Sequence, residues 1–135
     1  MHSWINEMTK NLKKRQGASE EAISSLKCMC ERLPEEYIEF LRTSNGAEGF
    51  IGNGYLSMWS AEDVVSLNQK YRVQEFAPGL LLFASDGGGT GYGFDCRTSN
   101  ALPIVDVTFV GLSFDESIPR GNTFGEFLEF VSNQR

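Results

Sequence analysis

The sequence has little of what most often carries chemistry. Its one histidine, His2, sits where chain ends commonly fray, a poor place for a general base or a metal ligand. The three cysteines, Cys28, Cys30 and Cys96, form neither an even set nor a C-x-x-C pair, which argues against a disulfide framework and for a reducing compartment. Cys28 and Cys30 read as small, buried or half-buried side chains. With His2 the three cysteines offer no recognised zinc spacing, so neither metal nor cofactor is expected. No run approaches the roughly 20 apolar residues of a membrane span. Trp4, Ile5 and Met8 alternate with polar residues and build no signal-peptide core. A cytoplasmic protein is the expectation. Basic charge is scarce beyond residue 16. Residues 1–16 hold four of the 12 basic side chains (Lys10, Lys13, Lys14, Arg15) and one acidic residue, Glu7, leaving eight basic against 17 acidic in the remainder. An acidic surface repels phosphate backbones, so direct nucleic-acid binding is disfavoured and a basic protein partner is favoured.

What is present is enough for one packed domain. The 135 residues include 16 aromatics, ten of them Phe, and a chain of this length buries roughly two-thirds of its unfolded surface. Ile5, Met8 and Leu12 recur at helical spacing, which predicts an amphipathic helix ending near Gly17. Ser19 offers an N-cap, Glu20 and Glu21 suit a first turn, and Ile23, Leu26, Cys30 and Leu33 follow one face of a second helix stopping at Pro34. Pro34 opens a third, with Tyr37, Phe40 and Leu41 on one face and Asn45-Gly46 as its terminator. A Gly-rich loop (Gly46, Gly49, Gly52, Gly54) precedes a short strand, Tyr55 to Trp59. Ser60 caps another helix carrying Val64, Leu67 and Tyr71. Past Pro78-Gly79 the period becomes that of strands: Leu80 to Ala84, Tyr92 to Cys96, Ile104 to Val107 and Val110 to Phe114. Thr123-x-x-Glu126 is a capping box for a last helix with Phe124, Phe127, Leu128 and Val131 inward. The expected fold is α+β: a mostly antiparallel sheet of about five to six short strands with N-terminal, central and C-terminal helices packed on it.

Three features invite a chemical reading. The run Asp86-Gly-Gly-Gly-Thr-Gly-Tyr-Gly93 could aim backbone N–H groups at an anion. Familiar phosphate loops lead into a helix, however, whereas Phe94-Asp95-Cys96 reads as strand and no Gly-Lys-Ser/Thr ending follows, so a hairpin turn is favoured. Asp86, Asp95, Asp106 and Asp115 leave a paired-carboxylate site open, although aspartate at turns usually bonds local backbone. The acidic patch Glu35, Glu36, Glu39 reads as a solvated face that could also steer a basic partner. Tyr55, Trp59, Tyr71 and Tyr92 are candidate anchors for a protein partner, each of which could equally be core. Asp86 and Asp95 complete the candidate contact set.

The stretch from Leu33 to Leu41, reading Leu-Pro-Glu-Glu-Tyr-Ile-Glu-Phe-Leu, followed by Asn45-Gly46, resembles the helix-opening signature of the SUKH superfamily, the Smi/Knr-like proteins. Trp59 with its following helix, Pro78-Gly79 before Leu82-Phe83-Ala84, the Gly-rich turn, Tyr92-x-Phe94-Asp95 and Phe124-x-x-Phe127-Leu128 agree in order. The resemblance covers about residues 19 to 131 and implies a Smi/Knr-like fold without catalytic residues. Leu33, Pro34, Tyr37, Phe40, Leu41, Asn45 and Gly46 are its structural signature. Many bacterial members look like immunity proteins that neutralise toxin domains, often nucleases, of contact-dependent or polymorphic toxin systems, so a toxin domain with a basic surface is the implied partner. A regulatory scaffold of the same fold is the second expectation. A small enzyme or anion-binding domain using the Gly-rich turn with Asp86 and Asp95 is the third.

Overall fold

A computed structural model describes residues 3–97 and 102–134, with the side chains of Ser3 and Trp4 outside the description. His2 lies outside the described residues as well. The chain forms helix α1 (Ser3–Met8), strand β1 (Lys13–Lys14), helices α2 (Glu20–Met29) and α3 (Glu35–Thr43), strands β2 (Ala47–Ile51) and β3 (Gly54–Met58), and helices α4 (Ala61–Lys70) and α5 (Val73–Phe76). Strands β4 (Leu80–Ser85), β5 (Thr90–Asp95), β6 (Ile104–Thr108) and β7 (Ile118–Pro119) and helix α6 (Phe124–Ser132) complete it. The seven strands form one sheet in chain order, every neighbouring pair antiparallel. This is the α+β meander the pattern predicts, with one strand more than expected.

Cross-strand partners share a face, and that divides the sheet in two. On the inner face Ile51, Leu56, Met58, Leu81, Phe83, Tyr92, Phe94 and Ile104 join residues of α2, α3 and α6 in the main core. A register shift between Leu82 and Ala84 turns both Phe83 and Ala84 inward. On the outer face Leu80, Leu82, Val105 and Val107 meet Val73, Ala77 and Leu112 in a smaller second core, with Trp59, Phe109 and Phe114 at its margin.

Local capping follows the sequence closely. The Ser19, Ser60 and Thr123 side chains accept from the backbone N–H of Ala22, Asp63 and Glu126, each fixing a helix start. Glu126 reaches back to the N–H of Asn122, one residue before the cap. The signature residues are architectural. Tyr37, Phe40 and Leu41 are fully buried, and Tyr37 packs against Phe83, Phe94 and Phe124 at ring-centroid distances of 5.1 to 5.7 Å. Leu33 is buried and the Pro34 carbonyl accepts from Tyr37 and Ile38 N–H. The expected Asn45-Gly46 terminator is corrected by one residue, since Ser44, extended, is the C-cap of α3; Asn45 Oδ1 instead accepts from Ala61 N–H at 2.7 Å and its amide donates to Glu62 at 2.8 Å, joining the segment after α3 to the start of α4. Gly46 takes the left-handed turn (φ 90°), and a Cβ there would stand 2.8 Å from the Met58 carbonyl oxygen.

Four further expectations are corrected. The first helix does not run to Gly17 but ends at Met8, after which the chain bends so that Lys13 and Lys14 pair with Glu48 and Ala47 as an edge strand. Ile5 and Leu12 are buried in the main core, which makes this segment part of the domain. The second helix ends at Met29, with Cys30 as its C-cap, short of Pro34. The Gly-rich loop is mostly strand β2, turned into β3 through Gly52-Asn53. Gly52 and Gly54 answer to α6, since a Cβ on Gly54 would lie 2.1 Å from the Val131 carbonyl oxygen. Val110 to Phe114 is not a strand: the chain turns there, Val110 is 89% exposed, and only Leu112 is buried.

Strand β4 is paired unevenly, and helices complete it. It meets β3 only at Ser85 and Ala84. Farther along, the buried Asn68 amide of α4 donates to the Leu82 carbonyl at 2.8 Å and its Oδ1 accepts from Leu82 N–H at 2.9 Å, as a neighbouring strand would. Gln74 of α5 donates to the Leu80 carbonyl and accepts from Gly79 N–H.

Candidate protein-binding face

Among the described residues, no helix covers the outer face over β2 and β3. Phe50 and Tyr55 are directly opposed there, their rings edge to face at 5.4 Å, and Phe50 is 59% exposed. The Tyr55 hydroxyl donates to Glu48 at 2.8 Å, and this bond to a carboxylate holds the phenol above its ordinary pKa. Gly87 of the β4–β5 turn (φ 83°) sits against the Tyr55 ring, 2.9 Å from where its Cβ would be. Ser57 and Ser85, opposed across β3 and β4, continue the face toward Gly91, Ser85's partner on β5.

Phe109 lies over Gly91, whose hydrogen is all that fits beneath the ring, since a Cβ would come within 2.9 Å of it. Phe109 is near-parallel with Trp59 at 6.4 Å and inclined to Tyr71 at 5.5 Å. Tyr71 and Phe76 are 41% and 51% exposed and line, with Phe109, Gly111 and Leu112, an open groove of about 300 Å³. The outer face therefore carries an aromatic strip in two groups, Phe50 with Tyr55 and Trp59 with Phe109, Tyr71 and Phe76, with Ser57 and Ser85 between them. Lys13, Glu48 and Asp86 border one end. Arg72, paired with Glu75, lies 5.7 Å from the Phe76 ring at the other.

The structure brings together four of the six contact residues proposed from sequence: Tyr55, Trp59, Tyr71 and Asp86. Tyr92 and Asp95 are buried away from this set, and Tyr92 takes the core alternative that the sequence left open. Tyr92 is 2% exposed because odd and even positions of β5 face opposite ways, and its ring packs edge to face on Phe127 at 4.9 Å. Its hydroxyl accepts from Gln134, while burial raises its pKa. Asp95 is buried and takes two hydrogen bonds from the Arg97 guanidinium, at 3.0 and 2.9 Å, which lower its pKa. Arg97 in turn stacks on Phe114 at 3.5 Å, tying the 109–117 loop to the end of β5.

The Gly-rich turn uses its own donors. Gly88 and Thr90 N–H donate to Asp86 Oδ1 at 2.8 and 3.3 Å, and Gly87 N–H donates to Ser85 Oγ. Asp86 thus organises the turn, as an Asx motif does. Asp106 pairs with Arg120 at 2.6 Å. The acidic patch on α3 is engaged too: Arg42 bonds Glu20, Glu35 and Glu39, bridging α2 to α3, and Glu39 is held below its usual pKa chiefly by that bond. Among the described residues, no group of three or more His, Cys, Asp and Glu is placed to hold a metal ion, and no helix is long and apolar enough to cross a membrane.

The family model for the SMI1 / KNR4 family (SUKH-1) matches residues 17–129. The chain belongs to this family. Comparison with curated proteins found no match. The family model begins at residue 17, yet residues 3–14 supply the edge strand and two core side chains of this SUKH domain. Membership fixes the fold and points to a protein partner in general terms. The strip residues Phe50, Phe76 and Phe109 escaped the sequence reading. For Phe50 the signal was there: Gly52-Asn53 between Phe50-Ile51 and Tyr55-Leu56 is a two-residue hairpin mark. Phe109 and Phe76 have no periodic pattern to mark them.

Proposed function

We propose that this SUKH domain acts by binding, as an immunity protein that neutralises the toxin domain of a contact-dependent or polymorphic toxin system, and that the partner docks on the outer aromatic strip. The observation that carries the site is the uncovered pair Phe50 and Tyr55, on the same sheet face as Trp59, Phe109 and Tyr71. Monomeric proteins seldom leave such aromatic area in water without use. A body with eight basic against 17 acidic residues suits a basic toxin such as a nuclease, whose approach it would steer. Neutralisation needs affinity near nanomolar, about 12 kcal/mol, and such interfaces lean on a few aromatic anchors ringed by polar contacts. Phe50 and Tyr55 are the anchors, while Glu48 and Asp86 form the acidic rim.

The test is co-expression and pull-down with the toxin domains encoded beside this gene. Protection and capture are expected with one of them. In the Phe50→Ala, Tyr55→Ala double variant affinity should fall by at least about 30-fold while the thermal midpoint stays put. Capture that survives this variant would move the interface elsewhere. Failure to bind or protect against any of those toxins would refute the immunity role.

A further inference from the structure

Cys30 and Cys96, 66 positions apart, meet in the fold with their sulfurs 3.0 Å from each other. Cys30 follows α2 and is buried, whereas Cys96 follows β5 and is half-buried. Their backbones are pinned: Cys30 N–H donates to the Leu26 carbonyl at 3.3 Å and Cys96 N–H to the Gly79 carbonyl at 2.7 Å. The Arg32 guanidinium also donates to the Cys96 carbonyl at 3.2 Å. A disulfide bond is about 2.05 Å long, so closure asks the sulfurs to approach by about 1 Å. Cys96 lines, with Met29, Gln74, Gly79, Leu80 and Leu81, an open cleft of about 310 Å³.

From this juxtaposition we propose that Cys30 and Cys96 are an oxidation site, closing to an intramolecular disulfide that locks the end of α2 to the end of β5 when the chain meets glutathione disulfide. Cys96, deprotonated to solvent, attacks one sulfur of glutathione disulfide. The S–S bond of the oxidant breaks and one glutathione leaves, taking up a proton. Cys30, losing its own proton, then attacks the Cys96 sulfur of the mixed disulfide and expels the second glutathione. Two protein thiols thereby lose two electrons and two protons, and the oxidant becomes two glutathione thiols. Burial, followed by the contact with Cys30, holds the Cys96 thiol protonated well above its ordinary value of 9.0. The first step is therefore slow at neutral pH and quickens as pH rises, which makes the pair a slow lock and not a fast sensor. Closing a ring of this size should raise the thermal midpoint by roughly 10 °C.

The test uses the full chain with Cys28→Ser, which removes the exposed third thiol. The protein is held with glutathione disulfide at about pH 8, then followed by thiol titration, intact mass, non-reducing peptide mapping and thermal melting. Expected are loss of both remaining thiols, a mass lower by two hydrogens, a Cys30–Cys96 cross-linked peptide, and the rise in midpoint, all reversed by dithiothreitol. Adding Cys30→Ser should stop the reaction at a glutathione adduct on Cys96. Because mass and mapping on the Cys28→Ser chain need no second substitution, the proposal stands or falls without that variant. A lasting glutathione adduct on the Cys28→Ser chain, a covalent dimer, two unreacted thiols after prolonged exposure, or a disulfide without a rise in midpoint would each overturn it.

Discussion

Two aromatic pairs sit on opposite faces of the same sheet. Phe83 and Phe94 stack at 4.4 Å and are fully buried between the strands and α3 and α6, whereas Phe50 and Tyr55 meet edge to face at 5.4 Å with Phe50 more than half exposed. The chemistry of the side chains is nearly the same. What differs is whether helices cover them. On the inner face the aromatic area is withdrawn from water on folding and contributes to stability, whereas on the outer face it stays wet and remains available to a partner. The second core stands between these limits, with α5 and the 109–117 loop covering the outer face only over β4 to β6.

The contrast can be broken by substitution. Phe83→Ala, which empties the centre of the inner face, should cost about 4 kcal/mol in chemical denaturation; a loss under about 1 kcal/mol would mean the inner face is not the stabilising one. Asn68→Ala should cost about 2 kcal/mol because Leu82 N–H and C=O lose the partners that stand in for a strand. Tyr37→Phe tests the inner face from the other side. Its hydroxyl is buried with no hydrogen-bond partner among the described residues, and burial drives its pKa up. Removing that oxygen should leave stability unchanged or raise it by about 1 kcal/mol, and a clear loss would reveal a partner. The Phe50→Ala, Tyr55→Ala pair should move stability by no more than about 0.5 kcal/mol, although it is the substitution expected to cost most in binding.

The smallest effect is confined to acid. The Asp95 carboxyl is held below its ordinary value of 3.8 by the Arg97 guanidinium, so between the two values the unfolded chain binds more protons than the folded one. Its contribution is present above pH 3.8 and is lost as pH falls through the folded value. Asp95→Asn should flatten the stability profile below that point; an unchanged acid limb would show that the pair contributes nothing.

Much of the architecture was legible because it is local. Ser19, Ser60 and Thr123 cap helices through bonds spanning three residues, and period-two alternation marks the β half. The misreadings share one cause, which is that the deciding contacts are distant in sequence. Lys13 and Lys14 leave a helical pattern because β2 offers them an edge. The glycines around residue 52 read as a loop because the carbonyl that requires Gly54 belongs to α6. Tyr92 and Tyr55 look alike along the chain, and only strand parity within a two-sided sheet sends one inward and leaves the other in the open.

By itself the sequence determined the fold class, the family and the helix caps, because hydrophobic period, capping bonds and the Leu33 to Gly46 signature act within a few residues. The tertiary structure alone decided which aromatic residues face water and that Cys30 finds Cys96. Each of these depends on which elements pack over which face, and no short stretch of chain contains that information.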